Sequence, residues 1–177
     1  VFLVFGLFLF GLGETLLLAS GGGVSPWTVL AEGISIYTSY SVGWSTFWMS
    51  LVVLLLWIPL KQKPGIGTFL NVIIIALVLD FALPYLPNPE NYGLKILQIV
   101  IGVLITGLGS GFYLIANLGP GPRDGLMTGV QRITGKPIAL VRGVIEVSVV
   151  FVGWLLGGTA GLGTIMFALG IGPAVAI

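Results

Sequence analysis

The sequence predicts an all-α membrane protein: six transmembrane helices arranged as an inverted 3+3 repeat, each half carrying a short re-entrant or interfacial helix. Three observations carry this expectation. First, the 177 residues are 56% hydrophobic and 7% charged, with a mean hydropathy of +1.13, whereas a soluble domain carries roughly a quarter charged residues. Second, residues 1 to 81 align without a gap on 97 to 177, at an offset of 96. Seven glycines coincide: Gly6, Gly11, Gly13, Gly23, Gly33, Gly65 and Gly67 fall on Gly102, Gly107, Gly109, Gly119, Gly129, Gly161 and Gly163. Windows holding 10 and 17 glycines would share about two by chance, so the period is that of a duplication. Pro26 on Pro122, Thr38 on Thr134 and Thr68 on Thr164 support it. Third, the basic residues are lopsided. If the short segments do not cross, Lys61, Lys63, Arg123, Arg132, Lys136 and Arg142 share one side against Lys95, which favours three crossings per repeat with the crowded side cytoplasmic. Three is odd, so the second repeat enters the membrane upside down, and both termini are expected in the cytoplasm.

The elements follow in order. Residues 2 to 19 form a long helix. Its small-residue end resembles a signal peptide, but there is no basic leader, and a similar run recurs at 97 to 116 where nothing could be cleaved. We read it as a helix of the mature protein, preceded by a short missing piece because the chain opens inside the run without Met. In "GGGVSPWT", Ser25 is an expected N-cap and Pro26 suits the first helical position. The segment 27–38 that follows reaches under roughly 18 Å, too short for a core of about 30 Å. Long helices at 42–60 and 67–86 complete repeat one (1–86). Repeat two (96–177) has the same parts: 96–116, the turn "GPGPRDG", a short segment 123–134, then 138–156 and 162–177. The whole chain, 1–177, is a single membrane domain. Trp27, Trp44, Trp48, Trp57 and Trp154 lie mostly near predicted ends, as interface anchors do.

The string "GVSPWTVLAEG", followed by "KPGIGTFLN" and Asp80, and its second copy "GPGPRDGLMTG" with "GLGTIMFALGIGP", resemble the YczE/YyaS/YitT family of bacterial integral membrane proteins. The resemblance covers essentially the whole chain. It implies a multi-pass protein of the bacterial inner membrane, often described as a transporter, and carries over no functional residues.

Two constellations could hold chemistry. The short helices begin with unsatisfied N–H groups at the positive end of the helix dipole, so Ser25, Pro26, Trp27 and Thr28 on one side and Pro122, Arg123 and Asp124 on the other form a candidate substrate site. Because the repeats are inverted, the two ends could meet near the midplane. The alternative is that Asp124 caps its own helix, Arg123 snorkels to lipid phosphates, and both short helices lie in the interface. The second constellation is Arg142 and Glu146, four apart on one helix face, either a structural ion pair or a gated proton site. Glu14, matched by Ser110 in the second repeat, is the strongest single candidate for proton or cation binding, because intramembrane carboxylates are costly. Asp80 and Glu32 join it in an expected negative outer vestibule.

With no Cys and no His, thiol nucleophiles, disulfides and most zinc or haem sites are excluded. No metal or cofactor is expected, and the chain does not read as an enzyme. A formal net charge of +1 gives no field for nucleic acid. "GLGSG" and "GLGTI" follow no strand and lack the Lys-Ser/Thr ending of a phosphate loop, so they read as helix-packing glycines. The leading expectation is a secondary transporter of a small, amphipathic solute, with Glu14 or Glu146 binding a coupling proton. A passive channel and a non-transporting scaffold subunit are the alternatives, and a bundle this small is a candidate homodimer.

Overall fold

The computed structural model describes residues 1–175, which form eight α-helices, one 3₁₀ turn and no strand. They are α1 (Phe2–Ser20), α2 (Pro26–Thr38), α3 (Val42–Leu56), α4 (Ile66–Ala82, running into the 3₁₀ turn Leu83–Tyr85), α5 (Tyr92–Ile115), α6 (Pro122–Thr134), α7 (Ile138–Leu155) and α8 (Leu162–Val175). The last two residues of the expected 162–177 helix lie outside the described residues. Four segments are long and apolar enough to cross a membrane: α1, α4 with its 3₁₀ turn, α5 and α7. The pair α2 and α3 would make a fifth if taken as one span, broken by a bend of 112°.

The element boundaries follow local chemistry. Gly21 stops α1 in the left-handed region (φ 61°), with its N–H on the Leu18 carbonyl. Pro26 and Pro122 each occupy the first helical position, where no N–H is needed. The Ser41 hydroxyl accepts from Trp44 N at 3.1 Å and starts α3, and Asn91 accepts from Gly93 N and Leu94 N to start α5. The expected helix at 42–60 ends at Leu56 instead. From Trp57 the chain turns back, Gln62 N reaching the Trp57 carbonyl and Lys61 adopting a positive φ of 51°. The local cause is Pro59, which has no N–H to continue the ladder and disfavours helical backbone at Ile58. The turn is anchored by Trp57, only 2% exposed, whose indole N–H donates to the Pro122 carbonyl at 3.0 Å. Trp57 and Trp27 are therefore buried rather than interface anchors, whereas Trp44, Trp48 and Trp154 remain exposed.

At the centre α1 packs on α5. Gly6 meets Gly109, and Gly13 meets Gly102, so the two helices cross antiparallel. A Cβ built on Gly13 would stand 2.6 Å from the Gly102 carbonyl oxygen. Backbone therefore touches backbone here, the contact small residues permit where lipid supplies no hydrophobic drive. Gly13→Ala is expected to cost roughly 1–3 kcal/mol by forcing the helices apart, read as a lowered unfolding midpoint in detergent. The same change at Gly143, which has open space around it, should leave the midpoint unmoved.

Around that pair, α4 packs on α1 and α8 on α5, while α2 lies against α7 and α3 against α6. The turn before α2 is stitched to the start of α8, Gly163 N donating to the Gly22 carbonyl at 2.8 Å. The turn before α6 is stitched to the start of α4 by Gly67 N and the Leu118 carbonyl, also at 2.8 Å. Three apolar clusters fill the interior, around Leu17 and Phe167, around Trp27 and Met127, and around Leu7 and Leu79.

Candidate functional site

The starts of α2 and α6 come together. Pro26 and Trp27 from the one, and Gly121, Arg123 and Asp124 from the other, line a single cavity of about 250 Å³. Phe10, Asn71 and Tyr113 contribute from α1, α4 and α5, and Arg142 and Glu146 from α7. Pro26, Trp27, Thr28 and Pro122 are buried, so the first turns of both short helices are enclosed by the bundle. Non-helical backbone such as these turns survives at membrane depth only when enclosed by protein or lining a cavity.

Glu14 is the most deeply held charge, with no exposed surface. Its Oε2 accepts hydrogen bonds from the Ser25 and Thr28 hydroxyls, both at 2.6 Å. Its Oε1 has no hydrogen-bond partner and faces Arg123 Nη1 at 3.8 Å. Ser25 thus sits at the N-cap position but makes no cap hydrogen bond. The Ser25 hydroxyl donates to the Glu14 carboxyl group instead. The Arg123 guanidinium also lies 5.9 Å from the centroids of Phe10 and Trp27, a position the ring quadrupoles favour. Arg123 therefore does not snorkel to lipid, and Asp124 makes no cap hydrogen bond. Asp124 Oδ2 instead accepts from the Tyr113 hydroxyl at 2.5 Å.

Arg142 Nε donates to Glu146 Oε1 at 2.8 Å, closing the expected pair across one helical turn. Their repeat-one counterparts, Thr46 and Ser50, are buried, Thr46 Oγ1 and the adjacent Ser45 Oγ lacking partners. Asp80 lies elsewhere, accepting from the Ser41 hydroxyl at 2.6 Å and Gly43 N at 2.8 Å, where it fastens the start of α3 to α4. Glu32 accepts from Thr159 N and Oγ1 and ties α2 to the α7–α8 loop. The expected joint vestibule of Glu14, Glu32 and Asp80 is therefore not formed, because each carboxylate is engaged by different partners.

The residues missed in the sequence are Phe10, Asn71 and Tyr113. A signal existed for two of them: Asn71 and Tyr113 are polar groups inside apolar runs, where a hydrogen-bonding group needs a partner. Trp27 adds an unpaired buried donor, its Nε1 having no hydrogen-bond partner while the ring lines the cavity. Buried orphans of this kind call for an explanation, and a bound ligand or water is the usual one.

An all-helical bundle with membrane-length apolar helices defines an integral membrane protein. Comparison with known sequences narrows the class. The chain belongs to the family of unknown function DUF6198, whose model matches residues 1–177. It is 45% identical over 173 residues to an uncharacterized protein of Haemophilus influenzae, covering 98% of this chain and 79% of that one. It is 34% identical over 148 residues to the uncharacterized membrane protein YczE of Bacillus subtilis, covering 83% and 69% of the two chains. The uncharacterized protein YyaS of the same organism is 24% identical over 165 residues, 91% and 82% of the two. The resemblance carried by the two glycine-proline motifs is thus a family relationship to YczE and YyaS. No solved structure matches the chain at a significant level.

Proposed function

We propose that the protein is a secondary transporter of a small solute, built as an inverted repeat that rocks about the central cavity. The observation that carries this reading is the convergence of the two helix starts, with Arg123, Asp124, Arg142 and Glu146, on one cavity. Discontinuous helices aimed at a shared central site are the arrangement transporters use to bind solute. The inverted repeat is supported by exchange of equivalent contacts at the 96-residue offset. Gly6 on Gly109 corresponds to Gly102 on Gly13, and Gly67 on Leu118 corresponds to Gly163 on Gly22. Equivalent helices that cross antiparallel are related by a two-fold axis perpendicular to them. With the cavity residues Arg123 and Arg142 set aside, Lys61, Lys63, Arg132 and Lys136 still oppose Lys95 alone, which keeps both termini on the cytoplasmic side of the inner membrane in this reading.

Glu14 and Glu146 are the proton-coupling groups of the proposal, the first for its full burial beside Arg123 and the second for its place on the cavity wall. A scaffold would need no cavity, so the polar space shared by Arg123, Asp124, Arg142 and Glu146 counts against that alternative. The test is internal pH in proteoliposomes loaded with a pH-sensitive dye and challenged with a panel of small amines, zwitterions and amphiphiles. A solute-dependent pH change that vanishes in Glu14→Gln/Glu146→Gln supports the reading. Coupling that survives both substitutions overturns the proton role, and unitary currents would replace the transporter by a channel.

A further inference from the structure

One difference between the two halves points to the class of ligand. In the first half α3 packs directly on α4, but the corresponding helices of the second half, α7 and α8, scarcely touch among the described residues. Between them is a cleft of about 630 Å³. Sequence explains the gap: Gly143, Ala160 and Ala168 line it where repeat one has Phe47, Pro64 and Val72. Its walls are apolar apart from Glu146 and Thr164, and the rim residues Val147, Phe151, Ile165 and Leu169 are exposed, so in a bilayer the cleft opens sideways to lipid. Pro26 and Glu146 line both this cleft and the polar cavity. The two spaces therefore adjoin, a polar chamber behind an apolar slot.

Charge selects the polar end. Arg123, Asp124, Arg142 and Glu146 line the cavity, with Arg142 bonded to Glu146 and Glu14 3.8 Å from Arg123. Two cations are thus set against three carboxylates. Among the described residues Asp124 has only the Tyr113 hydroxyl as its side-chain hydrogen-bond partner. From Glu146 to Trp154 the slot follows α7 for about 12 Å at ~1.5 Å per residue, the reach of a medium-length alkyl chain. We propose that the α7–α8 cleft holds the alkyl chain of a single-chain amphiphile that enters from the bilayer, with an ammonium head at Glu146 and Asp124. The proposal rests on the transport reading only for the fate of the ligand, since binding is measured without flux.

The test uses the full chain in phosphatidylcholine nanodiscs and dodecylammonium carrying a terminal diazirine. Light is expected to attach it to residues 143–154 and 160–169, and an unlabelled dodecylammonium excess should prevent this. Ala168→Val, which restores the repeat-one side chain, and Gly143→Phe should each cut labelling roughly tenfold by filling the slot, while Ile73→Phe on the α4 face leaves it unchanged. Dodecyl sulfate with the same photogroup should label far less. Labelling spread evenly over α4 and α7, or indifferent to Ala168→Val, overturns the proposal. So does equal labelling by the sulfate, or α7-to-α7 crosslinks between two copies that exclude the probe. Failure of the pH assay with labelling intact removes transport and leaves the binding site, whereas the reverse removes lateral entry alone.

Discussion

Glu14→Ala is expected to destabilise the protein by about 3–5 kcal/mol, because it leaves Arg123 enclosed without its counter-charge. Arg123 retains only 17% side-chain exposure, and Glu14 none. The substitution also strips the Ser25 and Thr28 hydroxyls of the acceptor they share. Glu14→Gln keeps an acceptor for the hydroxyls but not the charge, so it should fall between Ala and the native residue. The decisive comparison is Glu14→Gln with Arg123→Met. Removing both charges discards the desolvation cost along with the attraction, so the double variant should be more stable than either single one. Unfolding midpoints in a denaturing-detergent titration measure all of these. Single variants within about 0.5 kcal/mol of native, the range of ordinary surface changes, would mean that the pair is solvated.

Trp57→Ala is the second large effect, at about 3–5 kcal/mol for truncating a buried aromatic. Its ring fills the space beside Gly125, and its N–H holds the Pro122 carbonyl, so the loss falls on the turn that carries Arg123 and Asp124. Trp57→Phe separates the two contributions, retaining most of the packing and losing about 1 kcal/mol for the hydrogen bond. If the reading of the cavity holds, Trp57→Ala should also weaken dodecylammonium labelling at a site it does not touch, while Trp154→Phe should not change stability. A Trp57→Ala variant with a native unfolding midpoint would contradict the role assigned to the indole.

Much of the architecture was legible because it is written in short-range terms. Pro26 and Pro122 each mark a helix start within one residue, since proline suits the first turn and little else in a helix. Coinciding glycines such as Gly13 and Gly102 fall where helix backbones touch and tolerate no substitute, which is why they stand out in the sequence. What the sequence could not disclose was which distant groups meet. Glu14 and Arg123 stand on different helices and were expected on different sides of the membrane, and nothing in either neighbourhood names the other. Asp80 and Glu32 looked equivalent to Glu14 as acids in apolar surroundings. Only three-dimensional placement separates the two that fasten helix ends from the one that faces the Arg123 guanidinium. The early end of the helix at Leu56 was signalled by Pro59 inside the expected 42–60 span, whereas the bond from Trp57 to a carbonyl 65 residues away was hidden.

The exchanged glycine hydrogen bonds carry a consequence for biosynthesis. The Gly22 carbonyl waits for the N–H of Gly163, which a ribosome adds only after roughly ten seconds or more at about 5–20 residues per second. Until then the Gly22 carbonyl lacks the donor it has in the folded chain. Leu118 draws its donor from Gly67, already made, so the second turn can close as it emerges. The nascent chain thus matures in reverse order, its earliest turn being the last to be sealed.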